Sequence, residues 1–333
     1  LLKDLQGFRP TFLLAVPRVF EKVYNGSSSK AHDASKLKGK IFDAATATAI
    51  AYSESLDTGG HSKVLALRHS LFDKLVYSKL REAMGGRVTH AISGGASLGA
   101  RLGHFYRGLG LIVLEGYGLT ETNGAGCGNL NENYLNKPGS TGTATKPLIE
   151  IGILDDAGKV LSAHATGEVA FRSIVNFGGY WQNPEATAAA ITADGWFRTG
   201  DLGYLDEDQY LFIVDRKKDI IIRGGENISC IEVEQAIYAH PDVAEASVFG
   251  LPDERFGELP VAVYLPEPGT ELDEEALRTF LQERIAPFKV PVKLWRVDAA
   301  LPRLGTEKVD KRSLKASYLP AWQALQTAQV GAA

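Results

Sequence analysis

The residues able to do chemistry in this chain gather in four short segments. Tyr117-Gly118-Leu119-Thr120-Glu121-Thr122-Asn123-Gly124 sets a flat aromatic face, a hydroxyl and a carboxylate among glycines that let the backbone approach a ligand closely. A base can stack on Tyr117, a phosphate oxygen can accept from Thr120, and Glu121 offers a hard oxygen ligand for Mg²⁺. In Trp196-Phe197-Arg198-Thr199-Gly200-Asp201-Leu202-Gly203, an acid pinned between glycines can accept both hydroxyls of a ribose. The charge run Asp215-Arg216-Lys217-Lys218-Asp219 leads through Ile220-Ile221-Ile222-Arg223 to a Gly224-Gly225 turn followed by Glu226. Such a turn exposes backbone N–H groups and leaves room for a thin ligand. Last, Leu301 to Lys311 reads as a loop presenting Lys308 near the chain end. Taken singly, each segment also has an ordinary structural reading: a glycine-rich turn, a β-turn aspartate, a solvated charge run and a surface lysine.

The elements that must position these residues follow from periodicity. Phe12 to Val16 is an apolar run, Pro17-Arg18 follows, and Val19, Phe20 and Val23 recur at helical spacing before a polar, Ser-rich stretch from Asn25 to Lys36. Ile41 to Ser55 and Val64 to Met84 read as helices, and Val64, Leu67, Leu71, Leu75 and Val76 form one apolar face of the second. Gly85-Gly86 ends it. Val88 to Ile92, Leu98 to Arg107 and Leu111 to Leu114 make a βαβ unit. Ligands in such sheets bind at the carboxyl ends of the strands, which here carry Ser93-Gly94-Gly95-Ala96 and Glu115-Gly116-Tyr117-Gly118.

From Thr141 to Val214 the pattern is mostly β, with strands at Ile149 to Ile153, Gly167 to Val175 and Tyr210 to Val214. One helix with Asn183 as N-cap and Pro184 at its first position interrupts it. Beyond the charged break lies an α+β pattern, with helices at Glu232 to Ala239 and Asp273 to Arg284 and strands at Ile220 to Ile222, Ala246 to Phe249, Val261 to Tyr264 and Val292 to Val297. The break is the expected domain boundary, and the small-residue tail after Leu319 is expected to fray.

Composition narrows the function classes. Hydrophobic residues make up 44% and charged residues 23%, the balance of a globular protein, and a net charge of -4 argues against a broad nucleic-acid footprint. Two cysteines, Cys127 and Cys230, are too few for a disulfide framework and too far apart in sequence for a metal-ligand pair, so a reducing cytoplasm is the expected location. No apolar run reaches the length of a bilayer span. A start at Leu1, with Met84 the only methionine, reads as a fragment or processed form.

The four segments, in this order and spacing, resemble the acyl-adenylate-forming superfamily of acyl-CoA synthetases, luciferases and peptide-synthetase adenylation domains, and the resemblance runs to about Leu314. Pro10-Thr11 to Lys22, with the helical excursion to Gly86, is similar to bacterial long-chain fatty acyl-CoA synthetases, whereas Asp219 to His240 looks more like medium-chain or general ones. The resemblance implies an α/β fold: residues 1–215 as the C-terminal portion of a large AMP-binding domain with a β-rich subdomain, and 216–333 as a small mobile α+β domain.

Carried onto matching positions, the resemblance implies that Gly94, Gly95, Ala96, Glu115, Gly116, Tyr117 and Gly118 line the adenine and acyl pocket. Thr120 would contact the α-phosphate, Glu121 would hold Mg²⁺, and Asp201 and Arg216 would bind the ribose. Lys308 would bridge carboxylate and α-phosphate, and Lys218 would be the hinge about which the small domain turns to bring Gly224, Gly225 and Glu226 to the pantetheine tunnel. ATP, Mg²⁺ and CoA are the implied cofactor and substrates beside a fatty acid, with peripheral membrane contact as a further expectation. The family's Ser/Thr/Gly-rich phosphate loop should lie upstream of Leu1, so the chain alone is expected to bind ATP poorly. Asp215 stands where some branches have Gly, and Glu307 where Gly usually precedes the lysine. A fatty acyl-AMP ligase serving a carrier protein and a catalytically inactive remnant are the alternative readings.

Overall fold

A computed structural model describes residues 2–95, 98–129, 137–305 and 308–330. By contact density the chain divides into two units, Leu1–Ile213 and Val214–Ala333.

The first unit opens with α1 (Leu2–Phe8), edge strand β1 (Phe12–Ala15), α2 (Pro17–Ala34) and α3 (Lys36–Asp57). Pro17 sits in the first turn of α2, where its missing N–H leaves no bond unmade. The Ser-rich stretch that reads as a polar segment lies within α2, a correction with a local cause. Ser27 donates to the Val23 carbonyl at 2.7 Å, one turn back, so its hydroxyl is satisfied inside the helix. Ser35 then accepts from Lys38 N at 3.2 Å and starts α3. Helices α4 (Lys63–Phe72) and α5 (Ser78–Ala83) follow, joined by one π turn at Asp73–Tyr77.

Strand β2 (His90–Ser93), helix α6 (Ala100–Gly108) and strand β3 (Ile112–Gly118) form the βαβ unit. β1, β2 and β3 are parallel, with Ala15 opposite Ser93 and Ser93 opposite Glu115, while β4 (Gly126–Gly128) and β5 (Thr143–Ala144) extend the sheet antiparallel. The carboxyl ends of β2 and β3 are thus level, as a ligand site at such ends requires. A core of Phe20, Phe42, Ala45, Ala49, Tyr77, Phe105 and Tyr106 lies among the helices beside the sheet. Its two phenols are satisfied by backbone: Tyr77 donates to Ala45 O at 2.7 Å and Tyr106 to Phe20 O at 2.6 Å.

Helices α3 and α6 meet at Gly108, where an added Cβ would lie 2.1 Å from the Ala49 carbonyl oxygen. Backbone cannot yield there as a flexible side chain would, so Gly108→Ala should lower unfolding free energy by roughly 2 kcal/mol. Urea denaturation measures the loss, and an unchanged midpoint would contradict so close an approach.

β6 (Ile149–Leu154), β7 (Gly167–Ser173), β8 (Phe197–Leu205) and β9 (Leu211–Arg216) make a four-stranded sheet in sequence order. α7 (Pro184–Ala190) lies between β7 and β8, capped as expected by Asn183, which accepts from Ala186 N at 3.0 Å.

The second unit holds β10 (Ile221–Arg223), β11 (Glu226–Ile228), α8 (Cys230–Tyr238), β12 (Val243–Asp253), β13 (Gly257–Pro266), α9 (Glu274–Gln282), β14 (Lys293–Arg296) and α10 (Lys311–Val330). Its sheet runs β11-β10-β13-β12, with β14 parallel to β13. Val248, Ala262 and Tyr264 pack with Val233, Ile237, Leu277 and Leu281 in one apolar layer; Phe249, Val261 and Val263 pack with Leu314 and Trp322 in another. The tail after Leu319 was expected to fray, yet it continues α10. Trp322 is buried and its indole N–H donates to Pro252 O at 2.7 Å, so one aromatic anchor offsets the small residues around it.

Candidate functional site

Strand β3 delivers the first motif to the end of the sheet and a 3₁₀ turn at Thr120–Thr122 follows it. The Tyr117 phenol donates to Asp201 Oδ2 at 2.5 Å, joining the first and second motifs across 84 residues of chain. Its ring also meets Phe171, with centroids 5.6 Å apart. Burial, and then the Asp201 charge, pushes the phenol's pKa far up, so Tyr117 remains a donor. Asp201 is itself buried, and its N–H donates to Thr199 Oγ1 at 3.1 Å, while that hydroxyl donates to Val169 O at 2.8 Å.

Glu121 is half-buried and Thr120 exposed. The loop after β7 holds the glutamate from two sides: Phe177 N donates to Glu121 O at 2.7 Å and the Tyr180 phenol donates to Oε1 at 3.1 Å. Asn123 Nδ2 adds a third tie, to Val175 O at 2.7 Å. Tyr180 was not singled out in the sequence, since nothing in a local pattern brings position 180 to position 121. Among the described residues no group of three His, Cys, Asp or Glu side chains gathers as a metal cage. One oriented carboxylate beside a hydroxyl does suit Mg²⁺, which keeps most of its octahedral shell as water and phosphate oxygens.

Gly94 and Gly95 follow β2, and Gly94 N donates to Ala15 O at 3.3 Å; Ala96 lies outside the described residues. Gly116 and Gly118 pair with Gly128 and Gly126 of β4. Glu115 differs from the expectation of a pocket wall. It is 4% exposed, and its Oε2 accepts from Leu98 N at 2.9 Å, with a second backbone hydrogen bond from Gly139. Burial raises its pKa to about 7, against the opposing pull of those two amides. Glu115 thus braces two loops beside the strand end rather than offering its carboxyl to a ligand. Cys127, opposite Tyr117 on β4, is likewise buried, and its thiol is pushed up to about 12.

The third and fourth motifs lie in the second unit. Arg216 and Lys218 are exposed, on a turn closed by Asp219 N to Arg216 O at 2.9 Å. Asp215 is buried and accepts from Ser229 Oγ at 3.0 Å and Ile231 N at 3.1 Å, fixing the foot of this turn to the start of α8. Gly224 and Gly225, with φ of 59° and 90°, make the two-residue turn between β10 and β11, a conformation open to glycine at both places. Glu226 follows, exposed.

Lys308 is exposed on a hairpin-like loop: Leu304 N donates to Lys308 O and Asp310 N to Pro302 O, each at 2.8 Å. Both arms are tied to acids, one to buried Glu245 and the other to half-buried Glu234. Glu245 Oε2 lies 3.0 Å from Arg303 and accepts from Leu301 N at 3.1 Å, and Glu234 Oε1 lies 2.9 Å from Lys311 Nζ. Glu245 left a trace in the sequence, a charge at the head of the apolar strand Ala246 to Phe249; Glu234 left none. Thr306 and Glu307 lie outside the described residues.

The level strand ends, the Tyr117–Asp201 bond and the lysine loop define a class. The chain matches the AMP-binding enzyme model over residues 1–181 and the AMP-binding enzyme C-terminal domain model over residues 232–308, and it belongs to the AMP-binding enzyme family. It is 48% identical over 251 residues to the long-chain-fatty-acid–CoA ligase FadD15 of Mycobacterium bovis, a match covering 75% of this chain and 39% of that protein. Among solved structures it is similar to ATP-bound MatB from Rhodopseudomonas palustris, with TM-score 0.65, 35% identity and coverage of 75% of this chain and 50% of that one. It is also similar to o-succinylbenzoate coenzyme A synthetase (MenE) from Bacillus subtilis in complex with ATP and magnesium, with TM-score 0.62, 34% identity and coverage of 69% and 46%. The chain therefore spans about two fifths of the curated relative's length and about half of each structure's.

Proposed function

We propose that this chain carries the adenylate pocket and the lysine-bearing domain of an ATP-dependent acid–thiol ligase that acts on fatty acids. The observation that supports it best is the Tyr117–Asp201 hydrogen bond, which sets an aromatic face and a ribose-binding carboxylate side by side. Adenine would stack along Tyr117 between Gly95 and Gly116. Asp201 and Arg216 would accept and donate to the ribose hydroxyls, and Thr120 would donate to an α-phosphate oxygen. Mg²⁺, when bound, would neutralise charge on the phosphates as pyrophosphate leaves, and Glu121, oriented by Tyr180, would hold it.

Lys308 would place its ammonium between the acid's carboxylate and the α-phosphate as the acyl–AMP bond forms. The turn at Lys218 would then serve as the hinge that withdraws Lys308 and presents Gly224, Gly225 and Glu226 to the thiol. The longer match supports a fatty acid over an aromatic acid: 251 residues at 48% identity to FadD15, against 208 residues at 46% to the 2-succinylbenzoate–CoA ligase of Geobacillus kaustophilus. Supplying ATP, Mg²⁺, a fatty acid and CoA to the active protein should yield acyl-CoA, followed by chromatography. Acyl-AMP that accumulates unchanged by CoA, and is consumed only by an acyl carrier protein, would instead identify a fatty acyl-AMP ligase.

A further inference from the structure

Where β8 carries Asp201, its ladder with β7 is interrupted. Ala170 lies opposite Arg198 and Glu168 opposite Leu202, so Thr199, Gly200 and Asp201 share the single partner position of Val169. Such a bulge bends the strand and re-aims its side chains. Gly200 takes a φ of 74°, a conformation that residues with a side chain rarely adopt. Side chains hold this irregular backbone. Glu168 Oε1 accepts from Gly200 N at 3.2 Å, Thr199 Oγ1 accepts from Asp201 N at 3.1 Å, and the same hydroxyl donates to Val169 O at 2.8 Å. The other oxygen of Glu168, Oε2, accepts from Arg198 Nη1 at 2.8 Å, and Arg198 Nη2 donates to Asp155 O at 3.3 Å. The Glu168 side chain is 9% exposed and that of Arg198 17%. A carboxylate so far removed from water destabilises the fold unless it is paired and hydrogen-bonded; here one oxygen goes to the guanidinium and the other to the bulge amide. From this bulge Asp201 Oδ2 reaches the Tyr117 phenol.

We propose that Glu168, clamped by Arg198, is a positioning residue that fixes the Thr199–Asp201 bulge in the shape from which the Asp201 carboxylate meets a ribose. The inference rests on the reading of Asp201 as the ribose acceptor. Stability alone does not call for the pair, since well-packed apolar side chains of similar volume commonly serve as well or better. What the carboxylate adds is direction: it takes up an amide that the bulge turns toward it. Hydrogen bonds weaken steeply with angle and distance, so a small displacement of Asp201 would lose the ribose hydroxyls while leaving contacts to adenine and phosphate in place. The effect of Glu168 should therefore fall on the hydroxyls and not on the rest of a nucleotide.

The test is calorimetric titration of the full chain with AMP, which needs no upstream phosphate loop, and with 2′,3′-dideoxy-AMP, which lacks both ribose hydroxyls. Wild type should prefer AMP by about tenfold or more, the size expected of hydrogen bonds to a charged group. In Glu168→Ala the preference should shrink to within about threefold through weaker AMP binding, with the dideoxy nucleotide changed by less than about twofold. Asp201→Ala should erase the same preference, and adding Glu168→Ala to it should cost nothing further. Glu168→Gln is nearly isosteric but has one acceptor oxygen where the carboxylate has two, so it should retain only part of the preference. It carries the test if circular dichroism shows Glu168→Ala unfolded. A preference left intact in the folded Glu168 variants, or an equal loss for both nucleotides, would overturn the inference and leave the ribose reading standing. A wild type that binds the two nucleotides equally, or neither, would overturn the ribose reading and this inference with it.

Discussion

Lys308→Ala should slow adenylate formation by two to three orders of magnitude, roughly 3–4 kcal/mol of transition-state stabilisation. The size follows from where charge develops. In the proposed reaction negative charge would crowd at one centre as the carboxylate oxygen approaches the α-phosphorus and pyrophosphate departs, and the Lys308 ammonium would relieve it. The fold fixes the loop that carries the lysine. Lys308 is exposed, so its truncation empties no core, and the loop beneath it stays pinned by Glu245 to Arg303 and Leu301 and by Glu234 to Lys311. The variant should therefore fold normally and lose chemistry alone. Because the lysine is withdrawn for thioester formation in the proposed cycle, conversion of a supplied acyl adenylate to acyl-CoA should be nearly unchanged. ATP–pyrophosphate exchange measures the first step and single-turnover consumption of synthetic adenylate the second. Equal loss in both steps would remove Lys308 from the assigned role.

The legibility of this chain differed sharply between strands, braces and surfaces. The βαβ unit was readable because glycine-rich turns and short apolar runs are local signals, and the strands fall within a few residues of expectation, at His90–Ser93 and Ile112–Gly118. The helix over the Ser-rich stretch was not, since serine propensity argues for a loop and only burial of Phe20 and Val23, with back-bonding by Ser27, reverses it. The α10 tail hid for a related reason: small residues gave no period, and Trp322 finds its partner at Pro252, 70 residues away in sequence. Within the candidate site, the groups proposed to meet a ligand rest on motif chemistry alone. Those that hold such groups in place, Tyr180, Glu234 and Glu245, act through contacts distant in sequence, 56 residues for Leu301–Glu245, 58 for Arg303–Glu245 and 59 for Tyr180–Glu121. Sequence spacing carries no such information.

Glu115 gives the second large effect, and its sign is set by burial. The carboxyl is 4% exposed, and desolvation lifts its pKa from 4.5 to about 7 despite amides from Leu98 and Gly139 that favour the anion. A folded-state pKa above the unfolded one means the native chain binds the extra proton. Its contribution to stability is full below pH 4.5, declines as pH rises, and is gone above about 7. A difference of that size corresponds to about 3 kcal/mol. Glu115→Gln removes the titration while its amide oxygen still accepts from Leu98 N. The difference in unfolding free energy between wild type and variant should therefore change by about 3 kcal/mol between pH 4.5 and 8, with the variant relatively more stable at the alkaline end. Urea denaturation at a series of pH values isolates this group, because every other titration cancels in the difference. A flat difference would mean that the carboxyl is solvated or otherwise paired in the native chain. Near neutral pH the brace works close to its own pKa: the anion draws the Leu98 and Gly139 amides more strongly, while the cost of burying its charge lowers the stability of the native chain as pH rises.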